Sequence, residues 1–315
     1  MPDNKKGKKS QADIEFEKAS ALMKEKNYAE ALKMYNSAAE KFLNMGGKSL
    51  ENAAFCYYHM AGMHMGSNTD VALTCIAKSA EVCNHCPDMN KAYEATILDR
   101  YGEILADAKK YKEAQGEYLK SIKIREQLDK EYPGRYDYLM AETYVKINVI
   151  LANIGEYKYS AAGFGIALGL YNKVFEKGEN IALAGIANCY HNLTVIYKLT
   201  GMYSDAKKTA ALSLEKWEWL ALNENIEYKN RLTGVFNELV EVHKKSLSPL
   251  SEIEASYLKL AEIYKNLAKK APEAVREDLA TCYRSLANLH PGIFQRKKAK
   301  EYMQKAEDVY RRFGK

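Results

Sequence analysis

The sequence has no apolar run long enough to cross a bilayer, and no apolar core of a signal peptide follows its first lysines. These absences predict a protein without membrane insertion, located in the cytoplasm, with the nucleus as an alternative. Its six cysteines do not make a disulfide framework in a chain of 315 residues. We expect Cys56, Cys75, Cys189 and Cys282 to be small buried hydrophobic residues inside helices.

Catalytic and metal-binding signatures are missing as well. The sequence contains no P-loop, H-E-x-x-H or G-x-S-x-G pattern. The run Gly163–Gly169 does not match a phosphate-binding loop and lies inside a predicted helix, where its glycines would permit close helix packing. Cys83, His85 and Cys86 offer at most half of a zinc site, because no second C-x-x-C occurs. We therefore predict a non-enzymatic protein with no catalytic residues, no bound metal and no cofactor.

The net charge of +6 comes from the two ends of the sequence. Residues 1–10 carry four lysines against one aspartate, and residues 291–315 carry eight lysines and arginines against three acids. The long stretch between them is slightly acidic, which argues against nucleic acid as the partner. We predict that residues 1–10 form a disordered basic tail, with a localisation or acidic-partner signal as the alternative.

A short pattern recurs along the chain. Tyrosine followed at the third position by alanine or serine occurs at Tyr28, Tyr111, Tyr157 and Tyr203, and Asp70 holds the same place without the tyrosine. The small residues of the pattern, 41 to 46 positions apart, are Ala31, Ala72, Ala114, Ser160 and Ala206. Apolar residues at three- and four-residue steps flank each turn, which predicts helical hairpins. One hairpin cannot bury both of its faces, so the hairpins must stack on one another.

The first helix of each hairpin carries a second pattern. It reads Leu98-Tyr101-Gly102-Leu105, Tyr144-Ile147-Asn148-Leu151, Tyr190-Leu193-Thr194-Tyr197 and Tyr283-Leu286-Ala287-His290. Together with Tyr-x-x-Ala, this resembles the tetratricopeptide repeat (TPR) family over nearly the whole chain. The interval exceeds the usual 34 residues. The stretch Ile122–Ala152 is similar to the longer repeats of kinesin light chains. HEAT repeats have a similar period, but the two patterns favour TPR.

The resemblance implies an all-α, right-handed superhelical α-solenoid of about seven TPR-like hairpins. The repeat tyrosines, Tyr28 among them, would then be core residues. We expect a single solenoid domain over 11–315. Its predicted units are about 11–45, 49–86, 89–130, 136–177, 181–222, 226–270 and 273–313.

In TPR proteins, the side of the first helices that faces away from the core lines a concave groove in which peptides lie. The resemblance places nine polar residues on this side as the candidate groove: Arg100, Lys146, Asn153, Asn188, His191, Asn192, Lys198, Arg284 and Asn288. Asparagine amides can bond a peptide backbone while lysine or arginine bonds a carboxylate.

The predicted function is therefore a scaffold or adaptor that captures a peptide segment of a partner protein. The peptide would carry an acidic side chain or a free C-terminus. A regulatory or sensor subunit that responds to a small peptide is one alternative, and a helical-repeat enzyme with its site in the groove is another. The sequence does not determine the oligomeric state.

Overall fold

The computed structural model describes residues 9–292 and 295–313, and within these ranges the secondary structure is helices and turns, with no strand. The all-α prediction is confirmed. The helices are α1 (Gln11–Lys24), α2 (Tyr28–Met45), α3 (Ser49–His64), α4 (Thr69–Asn84), α5 (Lys91–Asp107), α6 (Tyr111–Glu131), α7 (Asp137–Asn153), α8 (Tyr157–Glu176), α9 (Ala182–Leu199), α10 (Tyr203–Asn223), α11 (Lys229–Lys245), α12 (Leu250–Ala268), α13 (Pro272–Asn288) and α14 (Arg296–Phe313). A short 3-10 helix, Ile226–Tyr228, precedes α11.

The predicted tail falls mostly on residues 1–8, which lie outside the described residues. Its last two residues, Lys9 and Ser10, directly precede α1, and Ser10 is the N-cap of that helix. The Ser10 hydroxyl accepts a hydrogen bond from the Asp13 backbone N–H at 3.1 Å, and the Asp13 carboxylate accepts one from the Ser10 N–H at 3.0 Å. This reciprocal pair is a capping box, which satisfies backbone donors that the first turn of a helix leaves free.

The described residues divide into two compact units after Ile154. Helices α1–α7 belong to the first unit and α8–α14 to the second, so the division falls in the turn of the predicted fourth hairpin. The first unit buries Tyr35, Phe42 and Ile76, and the second buries Leu232 and Tyr264. That the chain forms one continuous solenoid domain stays a prediction.

The small residues of the repeat pattern are buried without exception. Ala31, Ala72, Ala114, Ser160 and Ala206 are all 0% exposed. In α9 and α10 the reason is visible, because the hydroxyl oxygens of Thr194 and Thr209 lie 2.9 Å apart across the pair. Helices that approach so closely leave no room for a larger side chain at Ala206.

Three hairpins share a buried serine on their second helix. Ser79 donates to the carbonyl of Ala54 at 2.7 Å, Ser121 to that of Ala95 at 3.0 Å, and Ser213 to that of Ala187 at 2.8 Å. Each serine follows the small residue of its repeat at the seventh position, two helical turns further on. The hydroxyl can be buried there because the carbonyl of the first helix provides its partner.

Two turns show why the tyrosine of the pattern begins the second helix. Gly201, two residues before Tyr203, has φ of 77°, a left-handed value that glycine adopts without a steric penalty. Lys109 holds the same place before Tyr111 with φ of 59°. The left-handed residue ends the first helix, so the chain can reverse at once.

Two sequence-based interpretations were wrong. Tyr28 is 50% exposed, because it is the first residue of α2 and lies at the turn. The core tyrosine of that repeat is Tyr35, two turns further on. The glycine run lies inside α8 as predicted, but close packing does not explain Gly165 or Gly169, where an added Cβ would meet no atom within 4 Å.

The described residues include no helix long and apolar enough to span a membrane.

Candidate peptide-binding surface

The candidate residues of the second unit are concentrated on α9. Asn188, His191, Asn192 and Lys198 are all half-buried there. The Asn192 side-chain amide donates to the Asn188 backbone carbonyl at 2.9 Å. The Asn188 amide nitrogen and the Asn192 amide oxygen can therefore still bond a ligand. The face opposite the core thus carries the two amides in register, one helical turn apart.

The cation on this face has an internal partner. Lys198 Nζ donates to the Glu238 carboxylate of α11 in a close ion pair, with the lysine side chain 14% exposed. Glu238 thus joins α9 to the first helix of the next repeat. A ligand carboxylate would have to compete with Glu238 for Lys198, or bind both Lys198 and a second cation.

Such a second cation lies close by on α11. Arg231 is exposed and electrostatically coupled to His191, and it forms no ion pair within 9–292 and 295–313. Burial lowers the pKa of His191, while the Glu238 carboxylate acts in the opposite direction. Gly234 faces His191 with only a hydrogen as side chain, and an added Cβ would lie 3.8 Å from the His191 ring. A side chain at position 234 would therefore contact the His191 ring.

The first unit has a similar arrangement. Lys146 of α7 donates to the Glu103 carboxylate of α5 at 2.6 Å, and Arg100 lies 3.2 Å from the other oxygen of the same carboxylate. The Arg100 guanidinium also lies 5.3 Å from the centre of the Tyr58 ring on α3. Glu103 thus pairs with both Arg100 and Lys146. Through the contact between Arg100 and Tyr58, the interaction also reaches α3, the first helix of the preceding hairpin.

The remaining candidates lie at helix ends or near α14. Asn153 and Asn288 are the last residues of α7 and α13, and both are exposed. Arg284 of α13 donates to the Tyr310 hydroxyl at 3.0 Å and pairs with the Glu277 carboxylate. Six of the nine candidates therefore lie in the second unit and three in the first.

The sequence analysis did not identify the acids that pair with the cations of this face. Besides Glu103 and Glu238, Asp278 of α13 pairs with Lys229 of α11 at 2.5 Å. The sequence did contain a pattern from which these pairs could be predicted. Each acid lies about one repeat from its lysine in the sequence, and both residues lie on first helices. Opposite charges at the repeat interval on neighbouring first helices predict such bridges.

A buried network supports this face in the first unit. The Arg125 guanidinium is 2% exposed and lies 2.6 Å from the Asp99 carboxylate, with Ser121 and Thr143 as further partners. These four residues come from α5, α6 and α7. Removing either charge would leave the other buried without compensation, so the network fixes the positions of α5 and α7.

The cysteines lie where the sequence placed them. Cys56, Cys75, Cys189 and Cys282 are buried within helices, and burial raises the pKa of Cys56 to about 12. His85 is exposed, and its Nδ1 lies 2.8 Å from the Glu81 carbonyl. Across the part of the chain that the structure describes, no three metal-ligating side chains form a cluster.

No family model matches the sequence, and no curated protein matches it. The fold, in contrast, is shared with known structures. BtubC (BKLC) from P. vanneervenii is 14% identical, with a TM-score of 0.58 over 81% of this chain and 91% of that one. The apo form of RapI is 15% identical, with a TM-score of 0.57 over 96% and 98% of the two chains.

A third similar structure is that of the TPR-like repeats of a putative kinesin light chain from Podosopora anserina. It is 9% identical, with a TM-score of 0.52 over 67% of this chain and 96% of that one. At such identities the likeness concerns the fold alone. The chain therefore has the fold of TPR-like helical-repeat proteins, as the sequence predicted.

Proposed function

We propose that the protein is a non-enzymatic adaptor that binds a peptide segment of a partner along the outward face of its first helices. The observation that supports this most directly is the polar surface of α9 and α11. Two asparagine amides lie one turn apart beside His191, with Lys198 and Arg231 as the nearby cations. A surface with this composition suits an extended peptide that carries a carboxylate.

The structure refines how such a peptide would bind. Asn188 and Asn192 are spaced to bond the peptide backbone. Arg231 and Lys198 would bind the carboxylate together, because Lys198 is already paired with Glu238 and needs a second cation beside it. Lys198 would contribute as the cation of a shared network. Lys146 would act in the same way beside Glu103 in the first unit.

The test starts from a displayed library of random peptides with free C-termini, selected on the immobilised protein. Selection against an Asn188→Ala/Asn192→Ala variant removes peptides that bind elsewhere. The enriched peptide is then titrated by calorimetry into the wild type and into five alanine variants at Lys146, Asn153, Asn188, Asn192 and Lys198. Losing a hydrogen bond to a charged group costs roughly 1.5–3 kcal/mol, so Lys146→Ala and Lys198→Ala should each weaken binding about ten- to a hundredfold.

Matched controls come from α8. Asn172 and Lys173 are exposed on that second helix, and their alanine variants should bind the peptide like the wild type. Circular dichroism of each variant checks that the fold is kept. If all five first-helix variants bind as tightly as the wild type, the proposed surface is wrong.

A further inference from the structure

A second surface, on the outside of α8 and α10, has a different chemistry. A cleft of about 350 Å³ lies between the C-terminal ends of these two second helices. Its apolar wall is formed by Phe175, Leu183, Trp219 and Leu222. We call it the Trp219 cleft, and none of its lining residues belongs to the proposed peptide surface.

The aromatic rings of the cleft are unusually accessible. Phe175 and Trp219 are each 39% exposed, whereas Trp217, two residues away on the same helix, is 4% exposed. Ile181, next to the cleft residue Asn180, is 59% exposed. Tryptophan in an apolar depression is the residue type that most often dominates binding energy at protein interfaces. The apolar wall is therefore suited to bind a bulky apolar side chain of a partner.

The ionisable residues at the rim of the cleft indicate which charge the partner should carry. Its ionisable residues are Glu215, Lys216 and Glu218. Lys216 and Glu215 are sequence neighbours and form a pair of 2.9 Å. Glu218 is half-buried, and its carboxylate has neither an ion pair nor a hydrogen bond to any described residue. The cleft thus presents one uncompensated negative charge beside two exposed aromatic side chains.

We propose that the Trp219 cleft is a second docking site, which takes a bulky apolar side chain accompanied by a positive charge from an amphipathic segment of a partner protein. The ammonium or guanidinium group would lie between the Glu218 carboxylate and the Trp219 ring. Both attract a cation, the first by charge and the second by its ring quadrupole. The volume admits one or two large side chains. This site is independent of the proposed peptide surface and would make the protein a bridge between two partners.

The experiment compares two small probes of equal shape and opposite charge, phenethylammonium and 3-phenylpropionate, at pH 7. The chain has two tryptophans, so protein labelled with ¹⁵N-tryptophan gives one indole signal each for Trp217 and Trp219. A Trp219→Phe variant assigns them. We expect phenethylammonium to shift the Trp219 signal and to bind about tenfold more tightly than 3-phenylpropionate, the ratio that one favourable charge contact of about 1.4 kcal/mol provides.

Two variants separate the charge of Glu218 from the overall charge of the protein. Glu218→Gln should abolish the preference for the ammonium probe, whereas Glu301→Gln, at an exposed site on α14, should keep it. Equal affinities of the two probes for the wild type would overturn the proposal, as would a preference that survives in Glu218→Gln. So would self-association in sedimentation that is lost in Trp219→Ser, because it would assign the cleft to a second copy of the chain.

Discussion

At the scale of single residues, two glycines are required by packing and others are not. An added Cβ at Gly102 would lie 2.5 Å from the Tyr118 ring, and one at Gly185 would lie 2.3 Å from the Tyr171 ring. Gly102 was recognisable from the sequence, because it holds the glycine place of the first-helix pattern. Gly185 lies outside that pattern, and only the position of Tyr171 on α8 shows why it is small.

Because of this contrast, we expect alanine substitutions at two glycines of the second unit to change the free energy of unfolding in opposite directions. Gly185→Ala should lower the free energy of unfolding by about 1–3 kcal/mol, because the ring of Tyr171 must move. Gly169→Ala in α8 should raise it by roughly 0.5–1 kcal/mol, because alanine is the better helix former and its Cβ meets open space. Urea denaturation followed by circular dichroism measures both. Equal effects of the two substitutions would contradict the packing assigned to Gly185.

A buried histidine makes stability depend on pH. His243 is 2% exposed, and its Nδ1 and Nε2 lie 2.9 Å from the hydroxyls of Ser248 and Ser256. Lys207 donates to Ser248 at 2.8 Å and to Glu252 at 2.9 Å. Burial lowers the pKa of His243 below 6.5, Lys207 lowers it further, and Glu252 opposes them. No sequence pattern indicated this cluster, because its members come from α10, α11, α12 and a turn.

The direction of this pH dependence follows from the number of protons that the folded and unfolded states bind. As the pH falls below about 6.5, His243 becomes protonated in the unfolded chain more readily than in the folded protein. The unfolded state then binds more protons, so the free energy of unfolding decreases. We expect the free energy of unfolding to decrease between pH 7 and pH 5, and His243→Gln to make this decrease smaller. His85→Gln, at an exposed position, is the control. His243→Gln with the wild-type slope would show that folding does not lower the pKa of His243.

At the scale of helices, the sequence predicted most boundaries because turn and core positions repeat together. For the second hairpin it predicted about 49–86, and the two helices are Ser49–His64 and Thr69–Asn84. The sixth hairpin was less accurate. A 3-10 helix, Ile226–Tyr228, occupies what was predicted as the start of α11. The reason is local, since the Asn225 side chain accepts from the Glu227 N–H at 2.9 Å and favours a tight turn there.

The repeat anchor of α10 supplies a test of the hairpin packing. Ala206→Leu should lower the free energy of unfolding by about 1–3 kcal/mol, because the added atoms overpack the closest approach of α9 and α10. Ala211→Leu, at an exposed position of the same helix, should change it little. Hydrogen exchange should show the loss of protection first in α9, α10 and the helices that pack on them, since repeat stability is a sum over neighbours. Unchanged melting and exchange in Ala206→Leu would contradict the assigned packing.

The candidate surface was only partly predictable at this scale. Periodicity placed Lys198 on the outward face of its helix, but it could not show that this lysine meets Glu238. That contact depends on how α9 and α11 stack, which no local pattern determines. The same holds for Arg231 and Gly234, which the first-helix pattern did not single out. The sequence therefore predicted a polar face, and the structure adds its internal ion pairs.

At the scale of the whole molecule, the open question is whether the two compact units unfold together. Thiols can answer it, because four cysteines lie in the first unit and two in the second. All six are buried, and burial raises the pKa of Cys83, Cys189 and Cys282 to about 12. The thiolate is the reactive form, so brief exposure to a maleimide should label these cysteines only after local or global unfolding.

If the chain is a single solenoid domain, as we predict, labelling of Cys56 and of Cys282 should rise with urea at the same midpoint. Each unit has its own core, so independent folding would instead give two midpoints. Mass spectrometry of peptides after pulsed labelling reads the two sites in one sample. The Ala206→Leu variant provides a second test of whether the two units unfold together. It lies in the second unit, and in a single cooperative domain it should lower both midpoints equally. A shift confined to Cys282 would show that the first unit stays folded when the second unfolds.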